Sequence, residues 1–315
     1  MIVFLIVIAA VLVDIEYGVY IEITVNNTLY SYILFPNIVY VMEITLGHSP
    51  DADDAFMFYG IASNKLKSSN FRIRHVIEDI ESLNRRALKH ELDVTAISAH
   101  AYAYLSDYMI LRSGGSFGLS YGPIVISKEN LSLSQLKRST IATPGKMTSA
   151  NLLLNFVLGK FKEKEMPFQA IPNAVLNNIV DAGLVIHEAQ ITYDNSKLYN
   201  VLDLGAWWAA QTGGLPVPLG INVASNKSMK IEEIRQFDSY FRNSILYSLK
   251  NFDAAVDFAM GYSRGQPKEV IARFIKMYVN NTTIDMGDKG QESLKRMFAM
   301  AKDRGILSMD QLHFV

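Results

Sequence analysis

A histidine followed by a glutamate stands at the end of an apolar run, in the segment DAGLVIHE of residues 181–188. The chain has only six histidines. Because a histidine side chain titrates near neutral pH, it is the usual general base of enzymes. His187 is accordingly a candidate base facing a cleft, and the alternative is a core histidine with one structural hydrogen bond. Because side chains alternate along an extended strand, we expect Glu188 to point away from the imidazole and to bind substrate or hold the loop.

Two hydroxyl side chains open a helix in the segment ATPGKMTSANLLL, which starts at Ala142. The segment reads as a strand, a Pro-Gly turn and then a helix that begins at Thr148 and Ser149. Backbone N–H groups at a helix start, together with adjacent hydroxyls, can bind a carboxylate or a phosphate. The alternative is that these hydroxyls only cap the helix.

Three acids stand at the start of another helix, as Asp51, Asp53 and Asp54 of HSPDADDAFMFYG. A calcium loop would need glycine at its sixth position and glutamate at its twelfth, where this chain has Phe56 and Ala62. The chain also has no cysteine, which excludes thiolate metal sites and a cysteine nucleophile. A calcium loop and a thiolate metal site are therefore both excluded. Asp54 either points into a cleft or, with its neighbours, only stabilises the helix terminus.

Two further segments carry weaker signals. The glycine-rich RSGGSFGLSYGP, from Arg112, lacks the spacing of a dinucleotide-binding loop, so its glycines are expected to let backbone approach backbone or ligand. Trp207 and Trp208 are either a stacking lid for an aromatic ligand or ordinary packing residues.

Short apolar runs alternate with amphipathic helices from Met42 onward, which predicts an α/β fold. One pattern of helix, aspartate, apolar strand and polar tip occurs twice, leading from Asp93 to Ser98 and from Asp181 to His187. The carboxyl ends of strands in open α/β sheets face the ligand crevice. We therefore expect a two-lobed fold like that of periplasmic binding proteins, with Ser98 and His187 on opposite walls of the cleft between the lobes. The predicted lobes are residues 42–125 plus 224–315, and residues 126–223.

Residues 1–41 differ in composition from the rest of the chain. They begin with an apolar run over residues 1–13, contain no lysine or arginine, and continue with a Val-, Ile-, Tyr- and Thr-rich stretch typical of strands. The apolar run is short for a membrane span and lacks the charges of a signal peptide. An over-extended translation start, a membrane anchor and an additional structural element remain open, and a membrane partner is expected only if the segment is an anchor.

The whole chain of 315 residues has a formal charge of -1 and no basic stripe, which argues against a nucleic-acid partner. Its length allows one large domain or two lobes.

Seven blocks, in order, resemble the menaquinone-biosynthesis family that contains 1,4-dihydroxy-6-naphthoate synthase of the futalosine pathway. They are HSPDADDAFMFY, EDIESLNRRAL, LDVTAISAHAY, RSGGSFGLSYGP, TPGKMTSANLLL, DAGLVIHEAQITY and LDLGAWWAAQTGGLPVPLGINV. The resemblance implies a type II periplasmic-binding-protein fold and a cytoplasmic carbon–carbon lyase without a metal or organic cofactor. This lyase would convert cyclic dehypoxanthinyl futalosine, a small carboxylate, to 1,4-dihydroxy-6-naphthoate.

The resemblance also implies roles for individual residues. The family's histidine base corresponds to His187. Its substrate contacts correspond to Ala96, Ile97, Ser98, Thr148, Ser149 and Ala150, and further cleft positions to Asn84 and Asp54. Ser149 stands where threonine is usual, and it retains the hydroxyl.

Two other functions share this fold. A solute-binding protein of a transporter would need no base at position 187, and fold alone does not decide function. The chorismate dehydratase of the same pathway has a related fold and a different set of motifs.

Overall fold

The computed structural model of the protein describes residues 13–15, 18–25, 28–34, 41–263, 265–308 and 311–315. Contacts divide the chain into two compact units, residues 1–43 with 69–72, and residues 44–68 with 73–315. The N-terminal apolar run lies outside the described residues except for Val13. None of the helices in the described ranges is both long and apolar enough to cross a membrane.

The N-terminal unit contains an antiparallel three-stranded sheet. Its strands are β1 (Val13–Ile15), β2 (Gly18–Val25) and β3 (Thr28–Leu34), paired in that order. The strand prediction for the Val-, Ile- and Tyr-rich stretch is therefore confirmed.

A first mixed sheet supports one wall of the cleft. Its strands are β4 (Met42–His48), β5 (Phe71–Ile77), β6 (Val94–Ser98), β7 (Tyr108–Ile110), β8 (Ser116–Gly118) and β14 (Val217–Ser225). The order is β5-β4-β6-β14-β7, and β8 pairs with β14. Strands β4 and β6 are parallel, whereas β14 is antiparallel to β6.

A second mixed sheet supports the opposite wall. Its strands are β9 (Ile124–Ser127), β10 (Thr140–Thr143), β11 (Lys162–Glu165), β12 (Ala182–Val185) and β13 (Tyr199–Asp203), in the order β11-β10-β12-β9-β13. Strand β10 is parallel to β11 and β12, and β9 is antiparallel to β12 and β13. The predicted lobe boundary at residue 223 would divide β14, which pairs along its length with the first sheet. The pairing puts the return to the first lobe at or before Val217, because a strand cannot leave its sheet between consecutive ladder bonds.

Twelve helices lie in the described ranges, together with 3₁₀ turns at Ala99–Tyr104, Phe168–Ala170 and Met260–Tyr262. The helices are α1 (Ala52–Ala62), α2 (Ile80–Leu88), α3 (Leu133–Leu136), α4 (Ser149–Leu158), α5 (Ile171–Leu176), α6 (Ala189–Thr192), α7 (Leu204–Thr212), α8 (Ile231–Lys250), α9 (Phe252–Ala259), α10 (Lys268–Tyr278), α11 (Asn281–Ile284) and α12 (Gly287–Asp303). The predicted helical character after residue 222 is confirmed from α8 onward.

Helix α1 is buried along nearly its whole length. Every residue from Ala52 to Ile61 is buried, and the helix packs against α8, α9 and α10. Phe58 stacks on Phe241 of α8 with ring centroids 4.2 Å apart. An amphipathic helix would keep one face in water. Because α1 is apolar on all sides, the acids at its N-terminus are buried with it.

Candidate functional site

A cavity lies between the two sheets. Its walls come from the carboxyl ends of β4, β6 and β12, the start of α4, the glycine-rich loop and β14. The lining residues are Ser49, Asp51, Asp53, Asp54, Ile80, Ala96, Ile97, Ser98, Gly114, Ser116, Pro123, Thr148, Ser149, Ala150, Ile186, His187, Gln190, Leu219, Gly220, Ile221, Asn222, Phe274 and Tyr278. None of these described residues is a lysine or an arginine, so an anion bound there would depend on N–H and O–H donors.

His187 lies just beyond the end of β12, with a left-handed backbone (φ 55°). Only one orientation of the Gln190 carboxamide pairs both its oxygen and its nitrogen with hydrogen-bond partners. In that orientation its oxygen accepts from His187 N (3.1 Å), and its nitrogen donates to Tyr278 Oη (2.8 Å) and Gly122 O (2.6 Å). The imidazole packs on Phe168, with centroids 4.8 Å apart. The histidine is therefore held both at its backbone and on one ring face.

The prediction that Glu188 points away from the imidazole assumed an extended backbone, and that assumption was wrong. Strand β12 ends at Val185, His187 is left-handed, and Glu188 has helical angles at the start of α6. Glu188 is buried, and its charge contributes to raising the pKa of Asp53. It is not among the residues that line the cavity.

Carboxyl groups from the start of α1 lie beside the histidine. Asp51 Oδ2 is 3.3 Å from His187 Nε2. Ser49 donates to two of these acids, from its hydroxyl to Asp51 Oδ2 and from its backbone N–H to Asp54 Oδ2 (2.7 Å). No three His, Asp or Glu side chains among the described residues are arranged to hold a metal ion.

The pKa values of the other two acids, Asp53 and Asp54, are both raised. Burial raises the pKa of Asp54 to about 7, against the hydrogen bond from Ser49 N that lowers it. Burial, followed by the charges of Asp54, Asp51 and Glu188, raises the pKa of Asp53 well above its usual range. Like charges in a buried site cannot all ionise at once. This end of the cavity thus offers both proton acceptors and carboxylic acid donors.

The polar tip of β6 lies on the opposite side of the cavity. Ser98 N donates to Asn84 Oδ1 (2.9 Å), and Asn84 Nδ2 donates to Ser98 Oγ (3.2 Å). Since the Ser98 oxygen is already an acceptor, its proton is available to a ligand. Asn84 itself is fully buried and does not line the cavity, so it acts behind Ser98.

Both hydroxyls at the start of α4 are used within the protein. Thr148 Oγ1 accepts from Asn151 N (3.2 Å) as the N-cap and donates to Gly145 O (2.8 Å). Ser149 Oγ accepts from His100 N (3.2 Å) and donates to Leu219 O (2.6 Å). The backbone N–H groups of the first helical turn have no partner inside the helix, and they are the groups that an anion would meet here.

The glycine-rich loop reaches the cavity through Gly114 and Ser116. Asn222, on β14 opposite Ala96, donates from Nδ2 to Gly114 O (2.8 Å). The Asn222 Oδ1 atom is buried and makes no hydrogen bond to any described residue. Asn222 is one of the residues that line the cavity, and this oxygen is an unused acceptor beside the site.

The sequence profile for menaquinone biosynthesis matches residues 44–303. The chain belongs to this menaquinone-biosynthesis family. It is 36% identical over 264 residues to the 1,4-dihydroxy-6-naphthoate synthase of Thermus thermophilus. The aligned residues cover 84% of this chain and 95% of that enzyme. The family resemblance inferred from the seven blocks is thereby confirmed.

Solved structures confirm the fold of this family member. A crystal structure of a protein from Archaeoglobus fulgidus superposes with a TM-score of 0.80 at 46% identity, covering 84% of this chain and 98% of that one. The periplasmic aliphatic sulphonate binding protein of Escherichia coli superposes with a TM-score of 0.59 at 12% identity, covering 84% and 93%. The second likeness shows the fold alone, and it confirms the two-lobed periplasmic-binding-protein architecture.

The fold brings most of the predicted site residues of this family member to one cavity. His187, Asp54, Ala96, Ile97, Ser98, Thr148, Ser149 and Ala150 line it, whereas Asn84 and Glu188 do not. Trp208 is fully buried in the core and Trp207 packs near Phe156, so neither indole forms a lid over the cavity.

Sequence reasoning missed several lining residues, chiefly Gln190, Asn222 and Tyr278. Gln190 follows the histidine by one helical turn, and this spacing could have indicated it. Asn222 and Tyr278 reach the site only through long-range packing.

Proposed function

We propose that the protein is a 1,4-dihydroxy-6-naphthoate synthase, a carbon–carbon lyase that acts on cyclic dehypoxanthinyl futalosine. The observation that carries the proposal is the position of His187, which lines the same cavity as Ser98 and the start of α4. A general base on one wall and an anion-binding helix start on the other suit a substrate with a carboxylate and a carbon-bound acidic proton. The similarity to the Thermus thermophilus enzyme supports the same reaction.

In this mechanism the substrate carboxylate accepts hydrogen bonds from Ser98 Oγ and from the first-turn N–H groups of Ser149 and Ala150. His187 then removes the carbon-bound proton, which starts cleavage of the carbon–carbon bond and release of the sugar-derived fragment. As part of the same proposal the reaction takes place in the cytoplasm, and cell fractionation tests this compartment.

The test is a product assay on the purified full chain. Cyclic dehypoxanthinyl futalosine should yield 1,4-dihydroxy-6-naphthoate, detected by mass spectrometry, whereas chorismate should remain unchanged. Turnover of chorismate instead would identify the dehydratase. Binding of the futalosine compound without any product, by the wild-type chain, would favour a solute-binding protein.

The role of His187 is tested with His187→Asn, because asparagine tolerates the left-handed backbone that alanine would strain. We expect kcat to fall by at least about 10²-fold while product binding is retained. His90 is an exposed histidine with nearly the same backbone angle (φ 54°), so His90→Asn is a matched control that should retain full activity. Full turnover by His187→Asn would exclude His187 as the base.

A further inference from the structure

The candidate base has a carboxylate next to one of its two ring nitrogens. His187 Nε2 lies 3.3 Å from Asp51 Oδ2, and the two side chains are 18% and 3% exposed. This separation is that of an ion pair, although the ring N–H does not point along it as a hydrogen bond requires. Catalytic hydrogen bonds of this kind often align only when substrate is bound. Asp51 is itself fixed by the Ser49 hydroxyl.

The surrounding contacts define which nitrogen is available to substrate. The Nε2 atom is buried against Asp51, the ring face lies on Phe168, and the His187 backbone N–H is held by Gln190. The nitrogen that remains for a reacting group in the cavity is Nδ1. A histidine can act as a base at one nitrogen only while its proton sits on the other.

We propose that Asp51 is a positioning residue for His187. Its carboxylate keeps the imidazole proton on Nε2 and so leaves the Nδ1 lone pair for the substrate. It also stabilises the imidazolium that forms when Nδ1 accepts the carbon-bound proton of the substrate. This inference rests on the proposed role of His187 as the base, and it goes beyond that role by naming the acid that orients it. The logic is that of the aspartate in a serine-protease triad, where an ionised carboxylate fixes the tautomer of the histidine.

Other ionisable groups near His187 do not replace Asp51 in this role. Asp53 and Asp54 of α1 have raised pKa values because of burial, so they carry less negative charge at neutral pH. Glu188 is the next residue in the chain, and its charge acts on Asp53. On α10, Tyr278 is buried, which raises the pKa of its hydroxyl and keeps it neutral. Asp51 is the carboxylate that the structure places at ion-pair distance from the ring.

The kinetic test is Asp51→Asn in the full chain. We expect kcat to fall by about 10²-fold or more with KM changed by less than about threefold, since the change affects the base and not substrate binding. The acid limb of the kcat/KM profile should move to lower pH, because loss of the negative charge destabilises the imidazolium. Asp257→Asn, at an exposed aspartate of α9, is the control. Unchanged kcat together with an unchanged pH profile would overturn the proposal.

A second measurement decides the matter even if Asp51→Asn fails to fold. Nitrogen-15 NMR of labelled histidines in the wild-type chain reports which ring nitrogen is protonated, and the His187 signals are assigned by their loss in His187→Asn. We expect the neutral ring to carry its proton on Nε2, and protonation at Nδ1 would overturn the proposal. Since this readout needs no substrate, its outcome is independent of whether the proposed reaction is correct.

Discussion

The Asn84 carboxamide holds Ser98 at two points, through the Ser98 backbone N–H at 2.9 Å and its hydroxyl at 3.2 Å. The family resemblance implied that Asn84 contacts the substrate. The structure places it one layer behind the cavity, where it fixes the direction of the Ser98 hydroxyl. Ser98, the proposed substrate contact, and Asn84, the group that orients it, thus belong to two different elements, β6 and α2.

Asn84→Ala tests this arrangement. Removing the carboxamide leaves the buried Ser98 N–H unpaired, so we expect a loss of about 1–3 kcal/mol in the free energy of unfolding. KM should rise severalfold while kcat changes little, because the lost contact serves binding. Urea unfolding and steady-state kinetics measure both effects. Asn173→Ala, at an exposed position of α5, is the control, and an unchanged KM in a folded Asn84→Ala would contradict the assigned role.

Ser149 links α4, which connects β10 to β11 of the second sheet, to two backbone groups of the first lobe. Its hydroxyl accepts from His100 N and donates to Leu219 O, so Ser149→Ala should leave both groups unpaired. We expect a loss of about 1–2 kcal/mol in stability and a raised KM.

The substitution Ser149→Thr retains the hydroxyl and should preserve both quantities. Ser228→Ala, at an exposed site, controls for the loss of a hydroxyl. The interpretation fails if the alanine and threonine variants at position 149 behave alike.

The positions of Ser98 and His187 at strand ends could be predicted, because the pattern of helix, aspartate, apolar strand and polar tip occurs twice. The aspartate has the same physical role each time. Asp93 Oδ2 accepts from Thr45 N (2.8 Å), and Asp181 Oδ2 accepts from Thr140 N (2.7 Å). Each aspartate ties the start of its own strand to the neighbouring parallel strand. The apolar residues that follow then carry the chain to the carboxyl edge of the sheet, where the polar tip faces the cleft.

The rest of the site depends on features that a local pattern does not contain. Tyr278 belongs to an ordinary amphipathic helix, and only tertiary packing brings its hydroxyl to the cavity. Strand β11 consists of Lys162–Glu165, four charged residues that show no apolar periodicity. The conformation at Glu188 could not be predicted either, because the run DAGLVIH gave no sign that β12 ends two residues before His187.

Gly114 allows the glycine-rich loop to pass close to α8. Its φ is +77°, and a Cβ atom there would lie 2.1 Å from Phe241 Cε1. Gly114→Ala should therefore cost at least about 2 kcal/mol of stability and lower activity, because the loop that lines the cavity must move. Thermal unfolding and the product assay check this. Gly261→Ala, where no atom lies within 4 Å of the added Cβ, should stay within about 0.5 kcal/mol of wild type. Equal stability of the two variants would refute the close contact.

The buried acid Asp54 should make stability depend on pH in a defined direction. Burial raises its pKa from 3.8 to about 7, so between these values the folded protein retains a proton that the unfolded chain has released. The contribution to the free energy of unfolding is fully present below pH 3.8 and is lost as the pH rises through 7. His48 and His100 act in the opposite sense, because burial lowers the pKa of each to about 4 and their contribution is lost as the pH falls.

Asp54→Asn separates these opposing effects. Asparagine can still accept from Ser49 N, and it carries no proton to lose, while both histidines are unchanged and cancel in the comparison. The stability of the variant relative to wild type should therefore increase from pH 5 to pH 8, by about 1.4 kcal/mol for each pKa unit that Asp54 is raised within that range. Loss of the Asp54 charge also lowers the pKa of Asp53, which adds to the increase in the same direction. Urea unfolding at several pH values measures the difference, with Asp257→Asn as the exposed control. A difference that stays constant with pH would show that Asp54 is ionised in the folded protein throughout this range.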